Sequence, residues 1–354
     1  MKSVSLFLVV LTASVFAQDT RPPLSALQRV VHRDYVSLET RVGNGGYQGI
    51  SWWECTEPPN PDVDGETLLS LLYRANEMPG YALIPNDFNG IHTGVRVYPP
   101  GKSCEAGRTF SSLSNGTFEE GREAPVGTVM VQVEIMPSVQ EAQKRLEEYR
   151  LRMHHALVVG KDNQVVAQLP SGRSFGLPMY LDRRWDYSRA LVVQAGRTVI
   201  RADVFHIPSV DEDFLEAVVW GVLYRLQRFP RFFTDGAGGS PPSDPDVLNG
   251  VRMAPLSALR AAGCTLEEDR PELSWTKYLP APVNQQFSGV VYARWKSRVQ
   301  WGQRWVELEA FGWQMKTWDG RTVRLSRPVF PYKEQLVAPL EEVKQALGLT
   351  VQAQ

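Results

Sequence analysis

The chain has 354 residues, of which 43% are hydrophobic and 22% charged, and its formal net charge is −1. This composition is that of an ordinary globular protein, and a near-neutral chain argues against nucleic-acid binding through a long-range positive field. The length exceeds the size at which one core usually keeps growing, so two domains are expected.

Residues 1–17 read as a secretory signal. Lys2 supplies the positive start, Val4 to Leu11 the apolar stretch, and Val15-Phe16-Ala17 the small residues around a cleavage point before Gln18. The apolar run is too short to span a bilayer, and no later stretch approaches the roughly 18 apolar residues that a spanning helix needs. The chain is therefore expected to be secreted or periplasmic, in the cell envelope, and not membrane-spanning. Export to an oxidising space makes Cys55 and Cys104 a candidate disulfide. It would close a loop of about 50 residues and stabilise by ~4 kcal/mol on the chain-entropy model; two buried thiols are the alternative. Cys264 stands apart and reads as a small buried hydrophobe.

Leu24–Leu38 suggests a first helix and Glu66–Glu77 a second. Between Glu77 and Gly127 the chain is rich in Gly, Pro, Asn and Ser, which predicts short strands and long loops. Val129, Val131, Val133 and Ile135 alternate with polar residues as in a half-buried strand. Met136-Pro137 ends that strand, and Ser138 with Glu141 forms a capping box for a helix carrying Val139, Ala142, Leu146, Tyr149 and Met153. Ala190–Ala195 and Thr198–Phe205 read as a hairpin. Ile207-Pro208 ends it, and Ser209 with Glu212 caps a helix bearing Phe214, Val218, Leu223 and Leu226. MPSVQE at 136 and IPSVDE at 207 lie 71 residues apart, so the strand-then-capped-helix unit occurs twice.

The segment 234–246, TDGAGGSPPSDPD, is a Gly/Pro linker and the expected domain junction. Beyond it, Ala254-Pro255-Leu256 with Leu259 and Gly263 is echoed by Ala338-Pro339-Leu340 with Val343 and Gly348. In each, Pro opens a short helix and Gly closes it. Val290–Val299, Arg304–Ala310 and Thr322–Leu325 are strand-like, the last after an Asp319-Gly320 turn. These elements predict an α+β protein in two domains, each a mostly antiparallel sheet with helices packed on one face.

The last segment resembles the copper amine oxidase-like N-terminal, or stalk, domain of exported bacterial proteins. Leu325, Pro328, Val337, Pro339, Leu340, Val343, Leu347, Gly348 and Val351 match the family's order of strand, Pro-containing turn, short helix, Leu-Gly and final strand. Met253–Gly263 would be the other helix copy, and the resemblance covers 246–354. Ala254 and Ala338 stand where the family often has Val, and its usual Arg after the Leu is absent. The resemblance implies a non-catalytic domain that binds no copper, so no cofactor and no metal ligand are carried over. The first domain, residues 18–233, with Met78-Pro79-Gly80-Tyr81 upstream of its strand and helix units, is similar in layout to PsbP-like envelope domains.

No residue is assigned a catalytic role. His32, His92, His154, His155 and His206 fall in no metal-binding spacing, and Asn60, Asp62 and Asp64 start a calcium-like loop that lacks its twelfth-position carboxylate at Leu71. One constellation stands out: Tyr292, Arg294, Trp295, Lys296, Arg298, Trp301, Arg304 and Trp305. On a strand, Tyr292, Arg294, Lys296 and Arg298 share one face, and Trp295, Val299 and Trp301 the other. From Val247 onward there are 14 basic and 10 acidic residues, so this face is the expected positive surface. Candidate partners are an anionic or glycan cell-wall polymer, or another envelope protein. The expectation is an envelope binding or scaffolding protein. The alternative is a secreted hydrolase with its active site in the loops of the first domain, where Glu54, Asp62, Asp64, Glu66 and His92 are available.

Overall fold

The fold is seen in a computed structural model that describes residues 52–55, 63, 65–84, 94–97, 101–112, 127–157, 164–166, 175–184, 188–205, 212–233, 244–272, 292 and 294–349. The expected signal, the helix at Leu24–Leu38, the cap at Ser209, most of the linker and the end of the chain lie outside the described residues. So do all five histidine side chains.

The first part of the chain builds one large sheet. Its strands are β1 (Trp52–Cys55), β2 (Tyr81–Ile84), β3 (Gly94–Val97), β4 (Cys104–Ser112), β5 (Thr128–Ile135), β6 (Gln164–Val166), β7 (Met179–Arg184), β8 (Ser188–Ala195) and β9 (Thr198–Phe205). They run in the order β1-β3-β4-β5-β9-β8-β7-β6, with β2 also on β4, and only β1 and β3 pair in parallel. Three helices accompany them: α1 (Gly65–Ser70), α2 (Val139–Leu157) and α3 (Glu212–Leu226). The expected helix over Glu66–Glu77 stops at Ser70 and resumes only as a 3-10 turn at Ala75–Glu77. Tyr73 sits in the break, its carbonyl accepting from Arg108 and its hydroxyl donating to Val218, so tertiary bonds replace those of a continuing helix.

The helices pack on both faces of this sheet, not on one as expected. Side chains alternate along a strand. In β8 and β9, Leu191, Val193, Ile200, Ala202 and Val204 meet α3, whereas Ala190, Val192 and Val199 meet Ala142, Leu146 and Tyr149 of α2. Both faces of the hairpin carry apolar residues, so both need cover. For the same reason β5 is buried along its whole length rather than on one face. Ser138 caps α2 as expected, its hydroxyl accepting from the Glu141 amide.

The later part forms two smaller antiparallel sheets. One holds β10 (Val247–Leu248), β11 (Val251–Pro255), β17 (Phe330–Tyr332) and β18 (Gln335–Pro339) in the order β10-β11-β18-β17. The other runs in chain order through β12 (Thr265–Asp269), β13 (Lys296–Trp301), β14 (Arg304–Glu309), β15 (Gln314–Thr317) and β16 (Thr322–Arg324). The sequence echo has a structural counterpart. β11 pairs antiparallel with β18 about the Ala254–Ala338 pair, so the two copies face each other across a local two-fold. Each continues from its Pro into a helical turn, Leu256–Ala262 or α4 (Leu340–Leu347), and each ends on a left-handed Gly, Gly263 or Gly348.

α3 explains how the sheets join. All twelve residues from Leu215 to Leu226 are buried. A helix apolar on every side must be covered on every side. The large sheet covers one face, and Phe330, Val337, Met253, Phe311 and Trp313 of the later part cover the other, all within one hydrophobic cluster. Gly221 allows the closest approach, since a Cβ there would lie 1.8 Å from the Tyr73 hydroxyl and 3.2 Å from the Phe330 ring. A second cluster, with Trp295, Val299, Leu308 and Val343, fills the space beneath the five-stranded sheet.

Candidate functional site

The solvent face of the five-stranded sheet carries the sequence constellation. Trp295, Ser297 and Val299 point inward; Arg294, Arg298 and Gln300 are exposed and Lys296 partly so. Trp295 is 1% exposed and belongs to the core, so it offers no surface to a ligand. Trp301 shares its side of the strand, yet is 40% exposed because the hairpin carries it past the end of that core. Its partner across the hairpin is Arg304, and the turn between them uses Gly302 at φ 59. Tyr292 forms an isolated bridge with Glu272 and packs on Trp295, with ring centroids 6.0 Å apart.

The basic face expected from the sequence is neutralised by its neighbours. β13 lies between two acidic strands. Arg298 stands opposite Glu267 on one side and Glu307 on the other, and Lys296 opposite Asp269 and Glu309. Arg298 reaches Glu307 at 3.1 Å, Lys296 reaches Glu309 at 3.3 Å, and Arg294 reaches Asp269 at 2.6 Å. Arg270 pairs with Glu268. The row continues outward, with Lys316 opposite Glu307. Acid and base thus alternate across the strands, which gives cohesion at the surface and little net field. The overall excess of base in this part of the chain is not concentrated here.

What remains uncovered is aromatic. Trp318 is 46% exposed and Trp305 partly so. The Trp318 amide donates to the Trp305 carbonyl at 2.9 Å, so the two residues are neighbours on adjacent strand ends. The Arg298 guanidinium lies 4.6 Å from the Trp305 ring centre, and that of Arg304 lies 5.8 Å from Trp318. Arg304 also crosses the end of α4, donating to the Leu347 carbonyl at 3.5 Å where Gly348 leaves room for it. Nothing in strand periodicity ties Trp318 to this group. The Asp319-Gly320 turn beside it was the available signal.

A second concentration of charge lies between α2 and the large sheet. Arg145 grips the nearly buried Glu134 at 2.6 and 3.1 Å, the Tyr149 hydroxyl donates to the same carboxylate, and Arg201 pairs with Asp203 at 2.6 Å. Burial, reinforced by the Glu134 charge, raises the Tyr149 phenol above its ordinary value. Each of these carboxylates is held by a guanidinium, as in a structural network rather than a poised acid and base.

Cys55 sits opposite Val97 on β1, and Cys104 opens β4 on the far side of β3. Strands two apart are separated by about 10 Å, whereas a disulfide spans about 5.5–6 Å between Cα atoms. A bond between these two cysteines needs β1 to leave its place beside β3. The Cys55 side chain lies outside the described residues, as do those of Glu54, Asp62, Asp64, Glu66 and His92. Cys264 is buried in the second cluster, and burial pushes its thiol up. Among the described residues no group of three His, Cys, Asp or Glu side chains is placed to hold a metal ion. No described helix is long and apolar enough to cross a membrane.

Comparison with protein-family models, with curated proteins and with solved structures finds no match to this chain.

Proposed function

We propose that this chain is an exported, non-catalytic binding or scaffolding protein of the bacterial cell envelope. The reading is carried by the solvent face of the five-stranded sheet, where Trp305 and Trp318 stand at one end of a surface whose charges are already paired. Exposed aromatic groups of this size cost free energy in water unless something covers them. The secretory character of residues 1–17 and the stalk-like pattern of 246–354 support the envelope address. Glu134, Asp203, Asp269, Glu307 and Glu309 sit in ion pairs, an arrangement suited to holding shape rather than to moving protons.

The test is retention of the purified mature chain on an insoluble envelope fraction, together with the N-terminal sequence of the protein recovered from cells. Retention and a start at Gln18 are the expected results. A cytosolic protein with Met1 in place, or turnover of a substrate that one point change abolishes, overturns the reading.

A further inference from the structure

α3 is shared by the two parts of the chain, and each part completes the other's core along it. We propose that residues 244–349 form a clamp on α3 and not a module swinging on the Gly/Pro segment, so that the chain opens and unfolds as one body. This goes beyond the envelope-binding reading and does not depend on it. The large sheet takes one side of the helix through Leu191, Val193, Ile200, Ala202 and Val204. The other side presents Phe214, Gly221 and Tyr224, seven and then three residues apart, as one stripe. Phe214 packs on Phe311 with ring centroids 5.2 Å apart, Gly221 lies against the Phe330 ring, and Tyr224 meets Phe330 and Tyr332 at 5.3 Å each.

Both ends of the helix are bonded across. At its start the Trp313 indole donates to the Asp213 carbonyl at 2.7 Å, and Arg324 reaches the Asp213 carboxylate at 3.2 Å. At its end Arg225 donates to the Pro331 carbonyl at 2.7 Å and the Tyr224 hydroxyl to the Asp246 carboxylate at 2.9 Å. Just beyond, Gln227 donates to the Val247 carbonyl at 2.9 Å and Arg228 reaches Asp246 at 2.6 Å. The Gly80 amide adds a bond to the Tyr292 carbonyl at 2.7 Å. The core beneath the five-stranded sheet is tied into the same body through β18. Val337 belongs to the cluster around α3, while its neighbours Leu336 and Ala338 belong to the second cluster. Parts of one chain move freely when they meet on a small polar patch; an apolar interface bonded at both ends removes that freedom. Whatever binds the five-stranded sheet is then held at a fixed orientation to the first part.

Two buried cysteines report on the two parts separately: Cys104 on β4 and Cys264 in the second cluster. The full chain, kept reduced, is equilibrated in rising urea and pulsed with iodoacetamide, and alkylation at each cysteine is read by peptide mass. Both should become reactive at the same urea concentration. Phe330→Ala, which removes a fully buried ring from the shared face, should lower both midpoints by the same amount. A second measurement cuts the backbone. A protease recognition sequence is inserted between Gly238 and Gly239 and cleaved in the folded chain. The two pieces should elute together from a sizing column without denaturant, at the volume of the uncut chain. The proposal is overturned if one cysteine labels at clearly lower urea than the other, if Phe330→Ala moves one midpoint alone, or if the cleaved pieces separate.

Discussion

Arg225 and Glu77 meet at 2.9 Å with side chains only 2% and 3% exposed, and the β17–β18 hairpin of the later part of the chain is bonded to both of them. Arg225 also donates to the carbonyls of Pro331 and Gly221 and lies 4.2 Å from the Tyr73 ring centre. Glu77 accepts from the amides of Arg74 and Lys333. Every strong donor and acceptor of the pair is thus engaged by α3, by the 3-10 turn or by the β17–β18 hairpin.

Removing one partner should therefore cost more than removing both. Arg225→Met leaves a buried carboxylate without its counter-charge and is expected to destabilise by about 3–5 kcal/mol. Adding Glu77→Gln, which removes the uncompensated charge and retains an acceptor for one of the two amides, should recover part of that loss. Urea unfolding of the single and double variants measures the difference. Equal losses in both would mean that the pair contributes nothing specific.

Gly221 gives the second expectation. In an ordinary helix interior Gly→Ala gains about 1 kcal/mol of propensity. Here the new methyl would meet the Tyr73 hydroxyl at 1.8 Å and the ring carbon behind it at 2.8 Å. Overpacking of that kind costs about 1–3 kcal/mol, so Gly221→Ala should lower the melting temperature rather than raise it. Tyr73→Phe in the same chain should relieve part of the clash while giving up the bond to the Val218 carbonyl. A melting temperature that rises in the single variant would show that Tyr73 can move aside.

The sequence showed local structure better than assembly. The alternation of Val129 to Ile135, the Ser138 cap, the hairpin about Gly196 and the paired Pro-to-Gly turns all follow from residue type at short range. The side on which each helix packs did not, because both faces of β8 and β9 are apolar enough to be covered. The burial of α3 is legible in its all-round apolar run, FLEAVVWGVLYRL, which extends well beyond Phe214, Val218, Leu223 and Leu226. The alternation of the basic strand is legible in the sequence, and its field is not. The acids that neutralise it come from β12 and β14, and one strand read by itself does not show which charges its neighbours bring.

Alkaline pH should unfold the protein through its buried tyrosines. Burial pushes the Tyr81 phenol up to about 12 and those of Tyr73, Tyr149 and Tyr224 further still, from an ordinary 10.0. A raised folded-state value means that the native protein holds protons which the unfolded chain releases. The associated stability is complete below pH 10.0 and falls as pH rises toward and through 12. Absorbance at 295 nm should show these four phenols, among 12 tyrosines, ionising together with loss of the native circular dichroism signal. Smooth titration of all twelve near 10.0 with the fold intact would contradict the burial.

The charge rows on the five-stranded sheet should be weak, additive and salt-sensitive. An exposed cross-strand pair is worth roughly 0.2–1 kcal/mol. Arg298→Glu would place three acids side by side with Glu267 and Glu307, and Arg298→Gln would only remove the attraction. The charge reversal should therefore lower the melting temperature further than the neutral change, and 1 M NaCl should narrow the gap, since the Debye length there is about 3 Å. A gap that salt leaves untouched would point to lost packing of the Arg298 stem on Trp305 instead.

The β17–β18 hairpin turns on Lys333 and Glu334, both with left-handed backbones at φ 48 and φ 62. A two-residue turn with positive φ at both positions favours Asn-Gly, and neither residue present is suited to it. The strain of about 1–2 kcal/mol per residue is tolerated because the turn is tied down from outside: the Lys333 amide donates to Glu77 at 2.7 Å, Asn76 donates to the Glu334 side chain at 3.3 Å, and Arg270 donates to the Glu334 carbonyl at 3.4 Å. Lys333→Asn with Glu334→Gly keeps both backbone bonds and gives up the exposed Asn76 contact and the Lys333 ammonium 5.3 Å from the Tyr332 ring centre. Its net effect should be a gain of about 1 kcal/mol in urea unfolding. The gain should persist in the Arg225→Met background, because the relief is local to the turn. A loss of stability would instead mean that the Asn76–Glu334 bond, and not the backbone bonds, seats the hairpin against the first part of the chain.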